Sequence, residues 1–390
     1  MRFDFHKLAD MISLSLPQTL VFGEGSVAAA VGRLAERGCR RTFIVTSRPL
    51  MPLVQPFCRD INEAGCQFCV WDGANREPTI SDFQRVLEEA RDFRADAVVG
   101  LGGGSALDLA KLVAALYDGQ QDIRDVFGIG RLKQRSLFLV CLPTTAGTGS
   151  EVSPNAILSD EEEQLKKGVV SPHLVPDVTC VDPLLMRTMP PAVTASTGLD
   201  ALTHCIEAYA NRFSHPVADL FALEGVRLIA GSLRRAYDNG EDREARANMG
   251  LGSLYGGLCL GPVNTGAVHA LAYPLGGEFH VPHGVANAML LPHVLAFNIP
   301  AAPERYAQIA VAMGAPDAGR ALETAGRLPL LVGDLLRHCS VAPSLSALGV
   351  PESALGRMAG AAMKVTRLLE RNVRSVTEQD ALDVYRKAFN

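Results

Sequence analysis

The chain has 390 residues, length enough for two domains, with 48% hydrophobic residues, 20% charged residues and a formal net charge of -5. This composition suits a compact enzyme rather than a disordered chain, and a mild acidic excess without a basic stripe gives no nucleic-acid partner. No run reaches the ~20 uninterrupted apolar residues of a membrane span, the N-terminal MRFDFHKLADMISLSLP lacks the build of an export signal, and nine cysteines without framework spacing suit the reducing cytoplasm.

In chain order, RTFIVTS (41–47), CQFCVWD (66–72), DAVVGLGGG (96–104) and SLFLVCLP (136–143) are short β-rich runs, and VPDVTCVDP (175–183) holds a last one. Residues 80–93 and 105–117 carry a helical period between them. The alternation predicts an α/β domain over 1–185 with a parallel, Rossmann-like, doubly wound sheet. Cys66 and Cys69 form a CxxC, but with no second pair nearby they are expected as two side chains of a buried strand. From MPPAVTASTG (189–198) onward only helical patterns follow, at 243–260, 285–298, 320–339 and 377–389. Residues 186–390 are therefore expected to form an all-helical domain, its last helix opened by a capping box of Thr377 and Asp380.

VVGLGGGSALDLAK (98–111) runs from a strand through consecutive glycines into a helix. Gly102, Gly103 and Gly104 lack the Cβ atoms that would hold a pyrophosphate away from backbone N–H groups, and the helix from Ser105 aims its positive end at the same place. Ser105 and Asp108 also have capping-box spacing, an alternative role in fixing the helix start. LPTTAGTGSE (142–151) adds Thr144, Thr145, Thr148 and Ser150 after another strand, donors suited to phosphates and ribose. Lys166 offers a charge to the cofactor or, equally, a solvated surface.

The densest signal is GLDALTHCIEAY (198–209) with AVHALAYPLGGEFHVPHG (267–284). Asp200 and His204, spaced i, i+4, leave one helix face together. With His269 and His283 they form one carboxylate and three imidazoles, a donor set suited to iron(II) or zinc. His280, three residues before His283, is a weaker candidate for lining the cleft, whereas His6, His173, His215, His293 and His338 have no partner spacing and are expected to be structural.

GGGSALDLAK, LPTTAGTGSE, GLDALTHCIEAY, HALAYPLGG and VPHGVANAMLLPHVLAFN resemble, in order and spacing, the metal-dependent, iron-containing alcohol dehydrogenases. NVRSVTEQDALDVYRKAF resembles that family's last segment, so the likeness spans essentially the whole chain. The resemblance implies a nucleotide-binding domain and a helical domain with the active site in the cleft between them. It implies Asp200, His204, His269 and His283 as ligands of Fe(2+), with Zn(2+) as the alternative. It implies nicotinamide contacts from Gly102, Gly103, Ser105, Asp108, Thr144, Thr145, Ser153 and Lys166. Two positions depart from the family. VTSRP places Ser47 and Arg48 where relatives commonly carry Asp, which removes the reason to exclude NADP and leaves NAD or NADP open. Tyr273 replaces a histidine often placed in the proton path, so Tyr273, a ribose hydroxyl, water or another route must serve.

The activity implied is reversible hydride exchange between a primary alcohol or hydroxy acid and its aldehyde or ketone, with the metal activating the substrate oxygen. Competing readings of the fold are a maleylacetate-reductase-like enzyme and a dehydroquinate-synthase-type lyase; retention of all four ligands disfavours the first and the motif set the second. Asn155, Cys259, Pro262, Val263 and Asn264 are candidates either for substrate contact or for packing. The resemblance also implies a homodimer or larger homo-oligomer.

Overall fold

The computed structural model describes residues 10–163 and 165–390, so His6 and its neighbours lie outside the described residues. Two compact units emerge: Ser15–Thr188, and Met189–Asn390 with residues 10–14.

The first unit runs β1 (Thr19–Phe22), α1 (Val27–Glu36), β2 (Arg41–Val45), α2 (Met51–Glu63), β3 (Gln67–Trp71), α3 (Ile80–Asp92), β4 (Ala97–Gly102), α4 (Gly104–Leu116), α5 (Ile123–Val126), β5 (Gly128–Ile129), β6 (Phe138–Pro143), β7 (Asn155–Asp160), β8 (Leu165–Val170) and β9 (Val178–Val181). Six strands form one sheet in the order β1-β9-β6-β4-β2-β3, each neighbouring pair parallel. Side chains alternate between its two faces. Phe43, Val45, Val98, Leu139 and Cys141 join a core with residues of α3 and α4. Ile44, Val99, Leu101, Val140 and Leu142 join the opposite core with residues of α1 and α2. Burial on both faces explains why the central strands are almost unbroken apolar runs. The chain steps outward from β2 to β3 and then returns to the other side of β2 as β4. The carboxyl ends of β2 and β4 therefore flank a topological switch point, where open α/β sheets hold ligands.

The parallel sheet and the helical second unit agree with the sequence reading, and the α/β unit differs from it in three details. A second, three-stranded sheet, β5-β8-β7, joins β8 to β7 antiparallel and to β5 parallel; charged residues such as Lys166 and Lys167 in β8 hide its strand pattern. The capping box that the spacing of Ser105 and Asp108 allows as an alternative does not form. Helix α4 starts one residue earlier with Gly103 as a side-chain-free cap, and the Asp108 carboxylate accepts instead from Ser150 Oγ at 2.5 Å and Ile157 N at 2.9 Å. The CxxC is also not a pair within one strand: Cys66 precedes β3 and contacts Thr42 Oγ1 at 3.0 Å, while Cys69 lies inside β3. All nine cysteines are free.

The second unit contains α6 (Pro191–Tyr209), α7 (Pro216–Asp238), α8 (Arg243–Leu260), α9 (Ala267–Phe279), α10 (His283–Asn298), α11 (Pro303–Ala312), α12 (Ala321–Ala325), α13 (Leu328–His338), α14 (Leu355–Ala362), α15 (Thr366–Leu369) and α16 (Glu378–Phe389). The single helix expected over 320–339 is broken between α12 and α13, where Gly326 ends the first segment. The capping box of Thr377 and Asp380 forms as expected. Helix α6 is buried continuously from Gly198 to Tyr209 because α7, α8 and α10 surround it. That all-round burial takes its polar residues into the interior. Helix α10 begins directly on α6: a Cβ at Gly284 would lie 2.1 Å from Ser196 O, so only glycine permits the approach. The segment His283–Ala301 is long and apolar enough to cross a membrane by length and composition, yet more than half of it is buried in this unit.

Candidate active site

The helical unit gathers the four expected donors. Asp200 and His204 sit one turn apart on α6, His269 lies in the first turn of α9, and His283 is the first residue of α10. The Nε2 atoms of His269, His283 and His204 lie 3.6, 3.8 and 4.0 Å from a single oxygen, Asp200 Oδ1. The His204 and His269 rings stack with centroids 4.7 Å apart. Donor atoms of Asp200, His269 and His283 fall within 4.8 Å of one another. Tetrahedral ligands on bonds of about 2.0–2.1 Å lie roughly 3.4 Å apart, so a small rearrangement closes Asp200, His269 and His283 on one cation, while His204, which lies outside that group of three, must move further to join them.

Electrostatics and unmet valence favour such an ion. Burial acts to raise the Asp200 carboxyl, but the imidazoles of His204, His283 and His269 outweigh it and hold the group far below the usual carboxylate range. Burial acts to lower His269, while the Asp200 and Glu207 carboxylates lift it to about 9. His269 Nε2 is buried without a hydrogen-bond partner, an expensive state that a metal ion would relieve.

Sequence reading missed two groups that brace the candidate donors. Glu207, on α6, contacts His269 Nδ1 at 2.6 Å and accepts from Val268 N at 2.6 Å. Asn287, one turn beyond His283, donates from Nδ2 to Asp200 Oδ1 at 2.7 Å and lies 3.1 Å from His283 Nε2. Their signal was positional: Glu207 is i+7 from Asp200, and Asn287 is i+4 from His283. Tyr273 follows His269 by one turn, its ring 6.3 Å from that of His283; burial raises its phenol, partly offset by Arg367. His280 is not part of the group. It is exposed and ends α9 in the left-handed conformation. His215 caps α7 through Nδ1 and His338 pairs with Asp238, structural roles as expected. Cys259, Val263 and Asn264 are buried, and Cys259 Sγ contacts Ala218 O at 3.5 Å.

In the α/β unit, Gly102 pairs with Pro143, which sets the glycine turn beside the loop that follows β6. A Cβ at Gly102 would lie 2.7 Å from Ala106 Cβ, and one at Gly104 would lie 2.7 Å from Thr148 Cγ2. The glycines thus first serve close approach within the chain itself. Ser105, Thr145 and Thr148 retain partial exposure, whereas Thr144, Ser150 and Ser153 are buried. Beneath the loop lies Lys111, fully buried. Its ammonium donates to Ser150 O at 2.7 Å, Ser150 Oγ at 3.0 Å, Asn155 O at 2.6 Å and Ser153 Oγ at 3.5 Å. Burial lowers Lys111 and raises Asp108, each partly offset by the other's charge. Lys166 lies on β8 and binds Glu77 at 2.6 Å. Ser47 lies two residues beyond the end of β2 with an extended backbone, and the neighbouring Arg48 pairs with Asp72 at 3.0 Å.

A doubly wound parallel sheet with a glycine turn at its switch point, and a helical unit bearing one carboxylate among three imidazoles, define the class of metal-assisted nicotinamide oxidoreductases. Residues 17–183 match the family model "Iron-containing alcohol dehydrogenase", and residues 194–389 match "Fe-containing alcohol dehydrogenase family, C-terminal". The chain belongs to the iron-containing alcohol dehydrogenase family. It is similar to long-chain-alcohol dehydrogenase 1 of Geobacillus thermodenitrificans, 37% identical and covering 94% of each chain. A crystal structure of 1,3-propanediol oxidoreductase superposes with TM-score 0.94 at 35% identity, covering 97% of this chain and 100% of that one. Sulfoacetaldehyde reductase from Bifidobacterium kashiwanohense in complex with NAD+ superposes with TM-score 0.88 at 26% identity, covering 97% and 99%. The activity is therefore that of an oxidoreductase exchanging hydride between an alcohol and its carbonyl compound.

Proposed function

We infer that Asp200, His204, His269 and His283 hold one divalent cation, iron(II) or zinc, for reversible oxidation of a primary alcohol by NAD or NADP. The observation that carries this reading is the convergence of three imidazole Nε2 atoms within 4.0 Å of one Asp200 oxygen. When bound, the cation supplies Lewis acidity to the substrate oxygen and the nicotinamide supplies the hydride acceptor at C4. The ionised Asp200 lowers the net charge of the site and Asn287 fixes its carboxylate, while Asp200, His204 and His269 are buried and His283 keeps partial exposure. The reaction also releases one proton per alcohol oxidised. Tyr273, one turn from His269, is the side chain of this chain best placed to take part in its passage.

Backbone N–H groups of the Gly102–Gly104 turn and the start of α4 would receive the pyrophosphate, with the hydroxyls of Ser105, Thr144 and Thr145 beside them. Asp108 and Ser153 act there by bracing the loop, to judge from their bonds to the protein. Ser47 offers no negative charge to repel a 2'-phosphate, while the charge of Arg48 is met by Asp72, so the position leaves both nicotinamides open. The names of the similar long-chain-alcohol and 1,3-propanediol enzymes support a small or linear primary alcohol and its aldehyde; a cytoplasmic setting is inferred from the cysteine pattern and a homo-oligomer from the family resemblance.

The test is metal analysis of the purified protein with an alcohol and aldehyde panel, run with each nicotinamide before and after chelation. One metal per chain is expected, with alcohol-dependent nicotinamide reduction that chelation abolishes and iron(II) or zinc restores. Undiminished turnover after stripping would favour a maleylacetate-reductase-like enzyme. Product without net nicotinamide reduction would favour a lyase.

A further inference from the structure

Helix α6 carries a third carboxyl-type or imidazole group along the face of Asp200 and His204, and it is not a ligand. Glu207 is 6% exposed. Its Oε2 lies 2.6 Å from His269 Nδ1, and its Oε1 accepts the backbone N–H of Val268 at 2.6 Å. The second contact supplies the cap that Gly266, without a side chain, cannot give to α9. Close approach is required for it: a Cβ at Gly266 would lie 3.2 Å from Glu207 Oε1 and 3.3 Å from Asn372 Oδ1.

We propose that Glu207 is a positioning residue that fixes the proton of His269 on Nδ1 and thereby presents the Nε2 lone pair to the cation. An ionised carboxylate can only accept hydrogen bonds, so the imidazole nitrogen facing it must be the donor. When a cation takes the place of the second proton, the neutral ring carries its lone pair on Nε2, the atom that is buried, lacks a partner and lies 3.6 Å from Asp200 Oδ1. A carboxylate behind a ligating histidine sets the tautomer and orients the ring, and its loss typically weakens metal binding about 10- to 100-fold. Because Glu207 also caps α9, one side chain fixes the tautomer of His269 and the position of the backbone that carries it.

This inference rests on the ligand assignment above, and the experiment separates the two. Zn2+ affinity is measured by chelator competition for the wild type, Glu207→Gln, Glu207→Ala and His269→Ala, with circular dichroism as a check on folding. Gln can still accept from Val268 N through its amide oxygen, but it turns an NH2 toward His269 Nδ1 and forces the proton onto Nε2. Affinity should therefore fall about 10- to 100-fold in Glu207→Gln, and further than in Glu207→Ala, which imposes no tautomer. A purely structural cap gives the opposite order, with Glu207→Gln close to wild type, and that order overturns the proposal. If His269→Ala also binds Zn2+ like the wild type, the ligand assignment itself fails. A readout independent of the variants is 15N NMR of histidine-labelled, zinc-loaded wild type: a protonated Nδ1 on His269 is expected, and a metal-bound Nδ1 overturns the proposal.

Discussion

The helical unit and the α/β unit each hold part of a hydride-transfer machine, and they build it from different atoms. Around Asp200 the working groups are side chains, and each is braced by another: Asn287 behind the carboxylate, Glu207 behind His269. Around Gly102 the candidate binding atoms are largely backbone, and the polar side chains nearby spend their hydrogen bonds within the protein, as Asp108 and Lys111 do on the loop containing Ser150. A site made of side chains depends on chemical identity at single positions. A site made of backbone depends on the shape of a loop, and on whatever holds that shape.

The comparison breaks most sharply at Asp200. Asp200→Ala removes the oxygen that all three imidazoles face and should lower kcat/KM by about 10³-fold or more, since metal activation is worth several kcal/mol at about 1.4 kcal/mol per tenfold; metal content and alcohol-dependent nicotinamide reduction check it. The counterpart in the α/β unit is Lys111→Met. Deleting a buried ammonium leaves Asp108 and two carbonyls uncompensated and should cost about 3 kcal/mol in denaturant unfolding, while Zn2+ content stays at the wild-type level. A loss of metal in that variant would mean that the two regions are not built independently.

Glu151, in the same loop, sharpens the picture through pH. Burial raises its carboxyl to about 7, so between the ordinary carboxylate range and about pH 7 the folded chain holds a proton that the unfolded chain releases. The stability tied to that proton is complete below the unfolded pKa and is lost as pH rises through 7, up to about 3 kcal/mol. Glu151→Gln should therefore match the wild type near pH 4.5 and exceed it at pH 8 in denaturant midpoint; equal midpoints at both pH values would contradict the buried acid. The smallest effect is expected at Gly104→Ala, whose new methyl meets Thr148 at 2.7 Å. A cost of about 1–2 kcal/mol should appear as roughly tenfold weaker nicotinamide binding in a fluorescence titration, with Zn2+ affinity unchanged.

The same contrast explains what could be read from the chain before folding. Asp200, His204, His269 and His283 could be singled out because few other roles explain those residue types at those spacings, and the fold brings three of them, Asp200, His269 and His283, into one group. The strands buried on both faces were legible because burial demands apolar runs. Glu207 escaped notice because a glutamate in a helix is ordinarily a solvent-facing residue, and only the interior position of α6 gives it a partner. The β5-β8-β7 sheet escaped because one strand has two residues and another reads LKKGVV. Asp108 and Lys166 were expected to face a cofactor, and the bonds they make to Ser150, Ile157 and Glu77 depend on neighbours distant in sequence.

Helix α6 holds Asp200, His204 and Glu207 within eight consecutive residues, and each residue of an α-helix advances the direction of its side chain by about 100°. Deleting or inserting one residue between Asp200 and Glu207 would aim them at different neighbours, even though every amino acid type needed for catalysis would still be present. Drift in this helix is therefore confined to exchanges that keep its length, and sequence change that retunes the enzyme for a new alcohol must accumulate elsewhere.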